Sequence, residues 1–376
     1  MNTIPTTDGY FGKEVPKLGF GLMRLPNTLG IIDVEQVKTM VDMFLEAGFT
    51  YFDTAFVYNG SEAAIKKALV DRYPRESYTL ADKLNAMVAL TEKAAKQQFY
   101  TSLERTGAGY FDYYLLHAFM DNNYEKYDKF DLWNYAADLK AKGLIKHLGF
   151  SFHAGPDLLD KLLTEHPEVD FVQLQINYAD WEDRSVASRE NYEVARRHGK
   201  SITVMEPVKG GKLADPPKEV KYLFSSYDPD ASYASWAIRF VASLDGIITV
   251  LSGMSNVEQM KDNISFMKDF VPLNAEERAL VRRASEIMCG SAAIPCTGCR
   301  YCVDGCPMGI KIPEIFAAMN AQLADGQIER AGREYAEATG GSSASDCIEC
   351  RQCEDACPQR LPITDNLKKA AEMFGR

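Results

Sequence analysis

Twice in its final third the chain spells the same cysteine pattern. Cys296, Cys299, Cys302 and Cys306 are followed by Pro307, and Cys347, Cys350, Cys353 and Cys357 by Pro358, each run reading C-x2-C-x2-C-x3-C-P. Three thiolates at this spacing wrap one iron–sulfur cubane, and the fourth leaves along a helix to reach the other cluster. The expected ligation is therefore crossed: one [4Fe-4S] cluster on Cys296, Cys299, Cys302 and Cys357, the other on Cys347, Cys350, Cys353 and Cys306. Structural zinc is the competing reading, but zinc sites usually show cysteine pairs across a longer gap rather than two evenly spaced quartets. Without an export signal, nine cysteines do not suggest a disulfide framework. Cys289, outside both runs, reads as a buried or idle thiol.

In a chain of 376 residues this segment leaves room for a larger unit before it. Upstream, short apolar runs alternate with amphipathic segments of helical length. The runs are 18–23, 49–53, 78–83, 113–117, 145–151, 171–177, 202–206 and 246–252. Between them, apolar residues recur at helical spacing, as in Val34, Val37, Val41 and Phe44. Parallel strands need such crossovers, and eight βα units predict a (β/α)8 TIM barrel. The domains expected are a barrel over 1–272, a connector helix over 273–291 and a small helical ferredoxin-like iron–sulfur domain over 292–376. Thr6 to Val15 reads as a hairpin-like start, and Pro313 to Gly341 as two helices broken near Asp325 and Gly326.

Such barrels keep their chemistry at the C-terminal strand ends. Those ends carry Arg24, Asp53, Lys83, His117, Ser151, Gln175, Glu206 and Ser252. Asp53, Lys83 and His117, with Tyr58 on the loop after the second strand, form a unit able to deliver a proton to a carbonyl oxygen. A free phenol has a pKa of about 10. Lys83 is expected to lower it, Asp53 to hold Lys83 charged, and His117 to position the carbonyl. Lys209, Gly210 and Gly211 after strand seven, and Ser252, Gly253 and Ser255 after strand eight, make a candidate phosphate seat, because glycines and a helix N-terminus favour close anionic approach. Met23, Arg24, Phe56, Phe119 and the segment near Trp181 are the expected substrate walls.

From about Leu18 to Phe270 the chain resembles the aldo-keto reductases. Asp-Thr-Ala-x-x-Tyr at 53–58, the lysine ending strand three and the Leu-Leu-His ending strand four correspond to that family's Asp, Tyr, Lys and His tetrad. The resemblance implies an N-terminal hairpin plugging the barrel bottom, and NAD(P)H as hydride donor with Tyr58 giving the proton. It implies that Ser151 and Gln175 hold the nicotinamide amide and that Asn263 contacts the adenine. Glu206 stands at the cofactor seat where the family has an aromatic residue. Phe152-His153 replaces the Asn usual beside that serine, and the cations that grip an NADP phosphate are absent around Gly253, Met254 and Gln259. A flavin in the same mouth is the alternative. The tail resembles two-cluster ferredoxin domains of the helical type, so nearly the whole chain is similar to aldo-keto reductases carrying a C-terminal double [4Fe-4S] domain.

The formal net charge of −11 argues against a nucleic acid or an anionic membrane as partner. No stretch approaches the roughly 20 apolar residues of a membrane span, and the expected location is cytoplasmic. The function expected is oxidation or reduction of a carbonyl, alcohol or related small molecule at the Tyr58 site, with one-electron transfer through two clusters and a ferredoxin- or flavodoxin-like partner. The alternatives are an electron-transfer or redox-sensing module with little carbonyl chemistry, and clusters that serve only the fold.

Overall fold

The computed structural model describes residues 11–289, 293–323 and 326–375. Eight parallel strands close into a barrel in sequential order. They are β1 Leu18–Gly21, β2 Tyr51–Asp53, β3 Thr79–Leu84, β4 Phe111–Phe119, β5 Ile145–Phe152, β6 Phe171–Gln175, β7 Ser201–Met205 and β8 Ile247–Ser252. β1 closes the ring, pairing Leu18 with Val250 on one side and Gly21 with Asp53 on the other. Each predicted run has its strand, because a short apolar segment buried on both faces has few other ways to satisfy its backbone.

Two layers of core follow. The outer one packs the strands against the helices, as with Phe20, Phe44 and Phe52. The inner one fills the barrel with Tyr51, Ala81, Tyr113, Leu115, Phe171, Ile248 and Leu251. Gly149 makes room there, since a Cβ on it would lie 2.5 Å from the Phe171 ring. Phe11 and Val15 pack against the inner layer, so the described end of the expected N-terminal plug, residues 11–15, is a turn that covers the barrel floor. The rest of that expectation, Thr6 to Tyr10, lies outside the described residues.

Helix Ala275–Cys289 spans most of the expected connector. It is part of the barrel's outer wall, with Val281 and Ala284 packed beside Phe224 and Trp236. The C-terminal unit has its own core around Ile312, Ile315, Phe316, Met319 and Leu367. Its helices Ile312–Leu323 and Ile328–Ala338 flank the expected break, of which Asp325 lies outside the described residues. The cysteine repeat is also a backbone repeat. Left-handed residues recur at Gly298 and Glu349, at Arg300 and Arg351, and at Gly309 and Arg360. Among the described residues no helix is long and apolar enough to cross a membrane.

Candidate active site

β2 and β3 are neighbours, so Asp53 and Lys83 project from adjacent strand ends into one mouth. Both are buried, and Lys83 Nζ donates to Asp53 Oδ1 at 2.5 Å and to Thr54 O at 2.8 Å. The loop after β2 returns Tyr58 to the pair, where its Oη accepts from Lys83 Nζ at 3.4 Å. His117 comes from an irregularity in β4. Pairing with β5 jumps from Leu116↔Phe150 to Phe119↔Phe152, and Ala118 takes a φ of +62°. This strained turn is fixed from three sides: Ala118 N donates to Ser151 Oγ at 2.7 Å, Asn123 Nδ2 donates to Ala118 O at 2.8 Å, and Tyr127 Oη donates to His117 O. The bulge aims the imidazole so that its ring stands edge-on to Tyr58 with 5.8 Å between centroids.

The electrostatics differ from expectation at Tyr58. Its phenol is pushed well above the usual value, first by burial and then by Asp53, Glu206 and Asp82, with Arg24 opposing. The physical reason is that withdrawing the phenol from water penalises the charged phenolate, and the surrounding carboxylates add to that penalty. Asp53 is itself raised by burial, against the pull of Lys83. His117 is held far below its ordinary value by burial, then by Lys83 and His153, and is neutral. The site therefore rests with a protonated phenol and a neutral imidazole around a buried ion pair.

These groups open into a cavity of about 580 Å³ lined by Asp53, Tyr58 and His117. Its roof comes from the C-terminal unit, through Cys299, Tyr301, Pro358 and Gln359. Polar contacts seat this roof. Arg24 Nη2 donates to Thr297 O at 2.7 Å, Lys212 Nζ to Ile294 O at 2.6 Å and Arg360 Nη2 to Asp121 Oδ2 at 2.6 Å. Gln175 and Gln359 form a reciprocal amide pair at 3.0 and 2.9 Å.

Cys296, Cys299, Cys302 and Cys357 ring one small cavity behind that roof, and Cys306, Cys347, Cys350 and Cys353 ring a second. Among the described residues no three His, Cys, Asp or Glu side chains close on a single-ion point. Four thiols facing a shared space are a donor set suited to a cubane. Burial pushes the Cys299 and Cys353 thiols up to about 11 and Cys302 higher still, so bound iron is what would hold them as thiolates.

Residues 17–286, well over half the chain, match the model described as the aldo/keto reductase family. The chain belongs to the aldo/keto reductase family. A second model, a 4Fe-4S dicluster domain, matches residues 295–361. An aldo-keto reductase of Mycolicibacterium vanbaalenii is 28% identical over 281 residues, 73% of this chain and 90% of the relative. Aldo-keto reductase AKR11C1 from Bacillus halodurans superposes with a TM-score of 0.59 at 26% identity, covering 72% of this chain and 92% of its own. An aldo/keto reductase from Klebsiella pneumoniae, solved with NADP and acetate, shares the fold with a TM-score of 0.59 at 19% identity, over 72% and 91% of the two chains.

Within this aldo/keto reductase the expected cofactor side divides. Gln175, Glu206, Gly210, Gly211, Ser252, Gly253, Ser255 and Asn263 line the cavity. Two others do not. Ser151 is buried with its hydroxyl engaged by Ala118, and Lys209 is buried with its ammonium paired to Asp180, so neither presents its polar end to a ligand. Gly210 faces the tail: a Cβ there would lie 2.4 Å from Thr297 O. Gln175 is engaged by Gln359, and Asn263 Nδ2 donates to Ser252 Oγ at 2.7 Å. Ser255, part of the expected phosphate seat, has its backbone N–H engaged by Gln259 Oε1 at 2.7 Å.

Of the expected substrate walls, Met23 and Arg24 line the cavity. Phe119 stacks on Tyr127 in the outer core, Trp181 packs on Phe240, and Phe56 lies under Arg105. Sequence reasoning missed Tyr301 and Gln359. Comparing the two repeats position by position was the available signal, since Tyr301 aligns with Gln352 and Gln359 with Met308.

Proposed function

We propose that this aldo/keto reductase is an oxidoreductase acting on a carbonyl of a small organic molecule at Tyr58, and that its two [4Fe-4S] clusters serve that same site. The observation that carries the reading is that Cys299 lines the cavity of Tyr58, Asp53 and His117. A cluster held beyond hydrogen-bond reach of the chemistry would need no such contact. Bound clusters supply electrons singly, and a nicotinamide supplies them as hydride. The chain's own part is the same for both. Tyr58 holds a proton for the carbonyl oxygen, neutral His117 orients that oxygen, and the Lys83–Asp53 pair fixes the phenol.

The NADP held by the K. pneumoniae relative favours a nicotinamide over a flavin. The lining qualifies which one. Lys83 offsets Asp53 and Arg24 offsets Glu206, which leaves Glu258 and Asp262 in the lining, so a further phosphate on the ribose meets net negative charge and NADH is the better fit. A ferredoxin- or flavodoxin-like protein is the matching one-electron partner.

The ligand sets are assigned as Cys296, Cys299, Cys302 and Cys357 for the cluster beside the cavity, and Cys306, Cys347, Cys350 and Cys353 for the other. Paired substitutions test the crossing by iron content. Cys357→Ser should halve the roughly eight irons of two cubanes. Adding Cys299→Ser should remove no more, whereas adding Cys350→Ser should remove nearly all. The reverse pattern would mean that each repeat binds its own cluster.

The function itself is tested on anaerobic holoenzyme offered a panel of small aldehydes and ketones, with NADH or with dithionite as donor. Turnover with either donor is expected. Bleaching of the visible cluster absorbance with no carbonyl reduced by either donor would overturn the reading in favour of an electron-transfer or redox-sensing module.

A further inference from the structure

The two cysteine repeats act as controls for one another. Each must wrap a cluster, so a residue needed only for wrapping should look alike in both. Several aligned positions do not, five of them in one place. Thr297, Cys299, Tyr301, Pro358 and Gln359 are buried or partly buried, while Ile348, Cys350, Gln352, Pro307 and Met308 at the corresponding places are exposed. The first five are the residues at the barrel mouth. Their identity at Tyr301 is therefore a matter for the barrel and not for cluster binding, since the exposed Gln352 serves the same backbone position between Cys350 and Cys353.

Tyr301 extends from helix Tyr301–Asp304 into the cavity roof, where it shares one lining with Tyr58, Cys299, Glu206 and Asp53. Its hydroxyl has a weak partner, the Met23 sulfur at 4.0 Å. Thioethers are poor acceptors, so the O–H can exchange that contact for a ligand oxygen at small cost. Glu206 and Asp53, in the same lining, are carboxylates that accept and do not donate when ionised. Tyr58 from the barrel wall and Tyr301 from the roof are thus two neutral O–H donors facing one space.

We infer that Tyr301 is a substrate-binding residue contributed by the iron–sulfur domain, donating a hydrogen bond to a second acceptor oxygen on a carbonyl compound whose first oxygen lies at Tyr58. The substrate class is a bifunctional carbonyl, such as a vicinal diketone or hydroxyketone, and the site that selects it is complete only with the tail seated. The inference rests on the proposed carbonyl chemistry at Tyr58 and adds the second contact.

The test uses oxidised holoenzyme without a reductant, so that binding is read without turnover. Two probes differ by one oxygen: 1-phenyl-1,2-propanedione and propiophenone. Dissociation constants are measured by calorimetry for the wild type, Tyr301→Phe and Tyr58→Phe, with iron per chain and visible absorbance as controls for intact clusters. The wild type should favour the diketone. Tyr301→Phe should weaken the diketone about tenfold, the worth of one buried neutral hydrogen bond, and leave propiophenone unchanged. Tyr58→Phe should weaken both. Equal loss for both probes in Tyr301→Phe, no loss for either, or no wild-type preference for the diketone would overturn the inference. A failure of the carbonyl reading appears separately, as absent turnover in the donor experiment above. Should Tyr301→Phe lose iron, Tyr301→Met supplies a second side chain that fills the place without a hydrogen-bond donor. It is expected to keep both clusters and still to lose the diketone preference, and retention of that preference would overturn the inference.

Discussion

Tyr58→Phe should lower carbonyl turnover by roughly 10²- to 10⁴-fold, the usual worth of a positioned general acid, while iron content and thermal unfolding stay as in the wild type. Stability is spared because the phenol's bond to Lys83 is long, at 3.4 Å, and the ammonium keeps its shorter bonds to Asp53 and Thr54. The pH profile supplies a second readout. Burial and the nearby carboxylates hold the Tyr58 proton well above its usual value. The donating form is the protonated one and is lost only as pH rises through that elevated value. Reduction should therefore show no loss from Tyr58 across the neutral and mildly alkaline range. A fall in rate with a midpoint near pH 7 that vanishes in Tyr58→Phe would show a depressed phenol, and undiminished turnover in the variant would remove Tyr58 from the chemistry altogether.

Gly210→Ala should unseat the iron–sulfur domain. The residue sits at a φ of +65°, and an added methyl would fall 2.4 Å from Thr297 O and 2.8 Å from Thr297 Cα, both backbone atoms that cannot step aside alone. Left-handed backbone costs an alanine about 1–2 kcal/mol, and the overlap adds to it. Relief comes from lifting the loop that carries Thr297, which also strains the Arg24 and Lys212 contacts. The expected result is a folded barrel with clusters still bound, faster proteolysis near the connector, and an opened cavity with reduced turnover. Wild-type resistance to protease together with wild-type turnover would show that the close approach at Gly210 does not hold the two units together.

What could be read from the sequence was whatever is written locally. Eight apolar runs gave eight strands, since burial on both faces leaves a period no freedom. The Asp53, Tyr58, Lys83 and His117 quartet converges because barrel closure brings adjacent strand ends together. The cysteine sets share their two cavities in the crossed combination that their spacing suggests. What could not be read was where the tail would land. Gly210 and Gly211 look like a phosphate turn, and Gly210 in fact admits Thr297 of the tail. Lys209 looks like a phosphate cation, yet Asp180, brought near by the segment after β6, claims it. Ser151 was assigned by likeness, and the bulge at Ala118 uses its hydroxyl. The phenol's elevated proton affinity comes first from burial and then from Asp53, Glu206 and Asp82 together, which no single motif contains.

The placement of Cys357 among the thiols behind the cavity roof bears on how the molecule is made. The barrel strands pair with one another and the helices that cover them end by Cys289, so that unit can fold while the chain is still being synthesised. On the proposed ligation, the first cluster must wait for a cysteine near the C-terminus, and Pro358 and Gln359, which close the mouth, emerge just after it. A cell short of iron would then accumulate a folded but open barrel, and the supply of metal, rather than of protein, would set how many molecules become competent.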